Sequence, residues 1–93
     1  KIERIDILKM DTQGGELKAL EGATKLLTDH KIDLIYCEVS FTQMYVNAPL
    51  YHEIATYLEK FDYKLHSLYG FNTNERGELA WGDAIFKSRN IYL

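Results

Sequence analysis

The feature that most restricts the fold is residues 5–15, IDILKMDTQGG, a β-branched apolar run that closes on Asp11 and meets two glycines before an amphipathic segment begins. Ile5, Ile7, Leu8 and Met10 read as a strand bounded by turn residues. From Glu16 onward, Leu17, Leu20, Ala23 or Thr24, and Leu27 recur at three- and four-residue spacing, while Glu16, Lys18, Glu21 and Lys25 lie largely off that stripe. This predicts one helix of about three to four turns, with Glu21 and Lys25 in the favourable acid-before-base order. A strand that turns at once into a helix needs a second strand beside the first, which points to the α/β class.

The remaining elements continue the alternation. Leu34, Ile35, Tyr36 and Cys37 run apolar without a polar face, the pattern of a central parallel strand buried on both sides, and the run ends in Glu38. Pro49 suits the first turn of a second helix with Asn47 as its cap, an apolar face of Leu50, Ile54, Tyr57 or Leu58 and Phe61, and an end near Asp62. Residues 63–71 alternate imperfectly and predict a third strand. The polar segment 72–78, with Gly77, turns the chain into an antiparallel fourth strand over 81–87. The expected order is strand, helix, strand, helix, strand, strand, as two right-handed crossovers and a closing hairpin.

A chain of 93 residues is one domain or part of one. Eleven basic and fourteen acidic residues give a net charge of -3 without a basic cluster, which argues against a nucleic-acid partner. No apolar run approaches the roughly 20 residues of a membrane span, and no signal-type segment opens the chain. Cys37 stands alone, which excludes an internal disulfide and fits a reducing compartment, so the expectation is a soluble, cytoplasmic protein. The opening at Lys1, without Met and inside a strand-like run, reads as a piece of something longer.

Ligands of open α/β sheets bind beyond the carboxyl ends of the strands, where Asp11 and Glu38 both fall. Neighbouring strands lie about 5 Å apart, so the two acids can converge on one ligand. They would repel unless a cation, a proton or a hydroxyl donor sat between them. Singly, a helix cap accounts for Asp11 and a solvated strand end for Glu38, while Glu16 has the ordinary role of a first-turn acid. Gly14 and Gly15 serve a tight turn or a close ligand approach, but DTQGGE lacks the spacing of a phosphate loop. His30, His52 and His66 offer no zinc spacing, and Ser40, Ser67 and Ser88 no nucleophile elbow. Tyr45, Tyr51, Tyr69, Phe71 and Trp81 are core or rim aromatics, or walls of a substrate pocket if residues 41–48 and 71–81 share the carboxyl edge.

The run IDILKMDTQGGELKALEGATKLL resembles the FkbM-type methyltransferases, S-adenosylmethionine-dependent enzymes in which a strand ending in K-[IM]-D leads into [TV]-[EQ]-G-x-E and a helix carrying L-x-G-A. The likeness continues through IYCEVS and WGDAIFKS, nearly the whole chain. It implies a Rossmann-like class I methyltransferase fold with an antiparallel last strand, of which residues 1–93 form a single partial domain, the C-terminal half only. The glycine-rich turn and the acidic residue that hold most of the cofactor in such folds are not in this chain. By the same resemblance Asp11 and Glu38 are catalytic, and Asp11 and Thr12 touch the cofactor. Gln13, Glu16, Trp81 and Asp83 lie on the substrate side.

Gln13 departs from the commoner Glu: if Glu acts there by its charge, a metal or strongly basic role at this position is weakened, and if it acts by hydrogen bonding nothing is lost; no metal ligand is assigned. The implied reaction is O-methylation of a hydroxyl on a sugar or small metabolite, with Asp11 orienting or deprotonating the acceptor. The other reading is a non-catalytic fragment or binding module that completes its sheet with a partner, the exposed first strand being a template for a homo-oligomer.

Overall fold

The computed structural model describes residues 4–10, 15–43 and 48–92. Four strands form one mixed sheet with helices: β1 (Ile5–Met10), α1 (Glu16–Gly22), α2 (Thr24–Thr28), β2 (Ile32–Ser40), α3 (Tyr51–Glu59), β3 (Tyr63–Thr73) and β4 (Leu79–Ser88). The sheet order is β1-β2-β4-β3. β1 and β2 are direct parallel neighbours, from Ile5 opposite Ile32 to Met10 opposite Cys37. β4 runs antiparallel to both β2 and β3, so the hairpin's return strand lies between the two strands that precede it.

One apolar face of the sheet is covered. Ile35, Cys37 and Val39 of β2 and Ala84 and Phe86 of β4 meet Leu20, Leu27, Ile54 and Leu58 from the helices in a single buried cluster. Each of the leucine, isoleucine, valine and phenylalanine side chains among them contributes on the order of 1.5–3 kcal/mol by leaving water. The double-sided burial expected for β2 is not found: Leu34, Tyr36 and Glu38, on the face turned away from this cluster, are only half-buried.

The single helix expected after Gly15 is divided. Ala23 leaves helical geometry at φ -104° and ψ 19°, and Thr24 Oγ1 donates to the Glu21 carbonyl at 2.6 Å. Gly22 weakens the helix at that point, and the threonine hydroxyl offers the backbone a competing partner. Leu20 and Leu27 still reach the core, one from each piece. Lys25 pairs with Asp29 at 3.3 Å, not with Glu21. α3 starts later than Pro49 suggests. Leu50 is its cap, and the Leu50 amide donates to Glu53 Oε1 at 2.7 Å, satisfying one of the unpaired groups of a helix start. Asn47 lies outside the described residues.

The uneven alternation of residues 63–71 has a cause in β3, which shifts register against β4 between Leu65 and Ser67 and again between Tyr69 and Asn72. The hairpin turn is held by Asn74, whose Oδ1 accepts from the Arg76 and Glu78 amides at 3.0 Å each. At the opposite end of the sheet, Tyr63 donates to the Ile32 carbonyl at 2.6 Å and stacks on His30 at 5.1 Å. His30 Nδ1 and Ser88 Oγ share a hydrogen bond at 2.6 Å, but Ser88 is buried and also accepts the Asn90 amide, so this Ser–His pair joins strand ends and has no room for a substrate.

Replacing Tyr63 by Phe leaves a buried carbonyl of β2 without this donor. The expected loss is about 1–3 kcal/mol of unfolding free energy, read from urea denaturation, with no change in secondary structure.

Candidate functional site

Strand alternation decides which side chains share the open face. On β2 they are Tyr36, Glu38 and Ser40; on β4, Trp81, Asp83 and Ile85 lie directly opposite Ser40, Glu38 and Tyr36 in turn. Glu38 and Asp83 are therefore a cross-strand pair of carboxylates on one face, a pairing that puts Cβ atoms about 4.5–5.5 Å apart. β1 contributes Lys9, opposite Tyr36, with its Nζ 5.5 Å from the centre of the Tyr36 ring. β3 contributes Tyr69, opposite Asp83, whose ring meets that of Tyr36 edge-on at 6.1 Å. Lys9, Met10, Tyr36, Glu38 and Asp83 line a cavity of about 230 Å³.

The electrostatics follow from this crowding. The Tyr36 phenol is pushed up to about 12, first by hydrogen bonding with Tyr69, then by burial, then by the negative charge of Asp83. It stays protonated at neutral pH and is a hydroxyl donor in a group that also holds two acids, one ammonium and the Tyr69 phenol. The arrangement offers acceptors from Glu38 and Asp83, a donor from Tyr36 and a cation from Lys9. That combination suits a neutral hydroxyl-bearing ligand better than a phosphate, which two carboxylates would repel.

A larger groove, about 440 Å³, runs on the helix side between Leu17, Lys18 and Glu21 of α1 and Pro49 and Glu53 at the start of α3. Lys18, Glu21, Gln43 and Glu53 are its polar lining, without a phenol, and Glu53 caps α3. The cavity on the open face is the better candidate on that ground.

Among the residues expected in a site, Glu38 and Asp83 come together, and Trp81 sits two residues along the same face of β4, half-buried opposite Ser40. Asp11, Thr12 and Gln13 lie outside the described residues, as does Tyr45. Glu16 opens α1, and its side chain lies outside the described set. Phe71 and Trp81 do not wall one pocket. A Cβ on Gly82 would come within 2.9 Å of the Phe71 ring, which places Phe71 over the helix-side face, where it approaches Phe41 at 6.5 Å, while Trp81 is on the other face.

Tyr36 and Lys9 had no assigned role in the sequence, and Tyr69, expected as a rim aromatic or pocket wall, stands on the open face beside Asp83. The only signal for Tyr36 was a phenol inside an otherwise apolar strand run. Among the described residues, no group of three or more His, Cys, Asp or Glu side chains could hold a metal ion. Nor is any helix among them long and apolar enough to cross a membrane.

Because the folded chain holds the Tyr36 proton more tightly than the unfolded one, the folded state carries the extra proton between the ordinary phenol value of 10 and about 12. The stabilising contribution is complete below pH 10 and is lost as pH rises through that window. Urea midpoints should accordingly fall between pH 10 and 12, and fall less in Tyr36→Phe; equal slopes in the two proteins would remove Tyr36 from this account.

Residues 1–65 match the sequence model of the Methyltransferase FkbM domain. The match ends at Leu65, near the start of β3, so Trp81 and Asp83 lie outside it. No curated protein and no solved structure matches the chain.

Proposed function

The chain belongs to the FkbM methyltransferase family, and from that premise we propose that it is the acceptor-binding, C-terminal half of a Rossmann-like class I methyltransferase domain, one that methylates a hydroxyl on a sugar or small metabolite with S-adenosylmethionine as donor. The observation that carries this reading is the direct pairing of Glu38 with Asp83 beside Tyr36 and Lys9. A cavity of about 230 Å³ is smaller than the roughly 300–1,000 Å³ of sites that enclose a whole small molecule, so it fits an acceptor hydroxyl and its neighbours and does not fit the complete cofactor.

The chain's own residues have three tasks. Glu38 and Asp83 accept hydrogen bonds from acceptor hydroxyls, Tyr36 and Lys9 donate to the remaining oxygens, and Trp81 flanks the site from β4. Asp11, which follows β1 in the sequence, orients the reacting hydroxyl or takes its proton, with Glu38 as the second carboxylate able to do so. Asp11 and Thr12 contact the cofactor, and Gln13 and Glu16 complete the substrate side. General-base removal of a hydroxyl proton is worth about 10²–10⁴ in rate.

In the complete domain, Asp11→Asn and Glu38→Gln should each lower methyl transfer to hydroxyl acceptors by about 100-fold or more, while thermal stability stays near wild type. Transfer is followed by mass spectrometry of the acceptor. Unaltered turnover in both variants would take the carboxylates out of the reaction.

A second reading is favoured by one feature. Among the described residues β1 has a single strand neighbour, no register shift against it, and Ile7 58 % exposed, whereas the other edge, β3, is protected by its bulges. A binding module that completes its sheet through β1, with a second copy as partner, would use this edge. Sedimentation should then show a dimer that Ile7→Lys dissolves; a chain that is monomeric at every concentration excludes it.

A further inference from the structure

Asp83 has a neighbour on β3 that carries no side chain. Gly70 holds φ +67°, and β3 shifts register between Tyr69 and Asn72, so a bulge begins one residue after Tyr69 pairs with Asp83. A Cβ on Gly70 would stand 3.0 Å from Asp83 Oδ2, so the carboxylate would have to give by a few tenths of an ångström. On its other side the carboxylate shares the open face with Tyr36 of β2, whose phenol its negative charge helps to raise. Bulges next to functional sites commonly re-aim a side chain.

We propose that Gly70 is a positioning residue: its missing side chain lets the Asp83 carboxylate lie against the bulged backbone of β3, within reach of the Tyr36 hydroxyl and beside Glu38. The inference deepens the acceptor-site reading given above and rests on it for its functional meaning, but the placement can be measured without turnover. The left-handed backbone is one reason for glycine here, and asparagine also tolerates that conformation. The contact with Asp83 is a separate reason that asparagine does not satisfy.

The titratable groups facing the Tyr36 hydroxyl come from every strand: Lys9 on β1, Glu38 on β2 itself, Asp83 on β4 and Tyr69 on β3. The test uses the 93-residue chain labelled with ¹³C at the tyrosine Cζ, with the Tyr36 resonance assigned from Tyr36→Phe. The Tyr36 midpoint should stand near 12 in the wild type and move toward 10 in Asp83→Asn. It should move the same way in Gly70→Asn, which displaces the carboxylate. A wild-type midpoint in either variant overturns the proposal.

Should Gly70→Asn be too unstable to titrate, a cycle with Asp83→Ala decides. Shortening residue 83 should recover the folded state, read by circular dichroism and urea midpoint; no recovery overturns the proposal as surely. Lowered midpoints together with unchanged methyl transfer would count against the reading of the reaction and leave the placement standing.

Discussion

The site depends on the antiparallel pairing of β4 with β2. Because the hairpin's return strand is inserted between β2 and β3, a residue late in the chain is brought level with one near its middle, and Asp83 lies opposite Glu38. A strand's side chains alternate with period two, so a slip of one residue would send one of these carboxylates into the apolar cluster of Cys37, Ala84 and Phe86. Burying an unpaired carboxylate there is costly enough to enforce the register. The same requirement that keeps the core dry therefore holds the two acids together on the open face.

That closeness raises a difficulty, since two like charges across a strand pair repel. Beside the pair stand a hydroxyl and a cation, Tyr36 from the pair's own strand β2 and Lys9 from the neighbouring β1. The result is a polar patch of two carboxylates, two phenols and an ammonium, a set of groups that suits a hydroxyl ligand. A family that moves methyl groups gives such a patch a use.

Much of the fold was legible in the sequence because hydrophobic periodicity reports local structure directly. The strand ending at Met10, the parallel neighbour ending near Glu38, the second helix and the closing hairpin all follow from spacing and turn residues. The broken helix was written there too, in Gly22 and Thr24, but an amphipathic stripe that continues across the break masked it. β2 misled because an apolar run does not say how many faces are covered; Tyr36 was the residue that pointed outward. Of the site, Glu38 and Asp83 could be named singly, one as an acid ending a strand and the other through the resemblance. Their pairing could not, because register between strands distant in sequence is set by the whole core.

The most direct test of the account is whether positions 38 and 83 face each other. With Cys37→Ala as background, Glu38→Cys combined with Asp83→Cys should oxidise spontaneously to an intramolecular disulfide, since directly opposed antiparallel residues have Cα atoms about 4.5–5.5 Å apart, inside the range a disulfide spans. Glu38→Cys with Ala84→Cys, which represents the register slipped by one residue, should not close. Closure of the second pair and failure of the first would contradict the pairing on which the site is built.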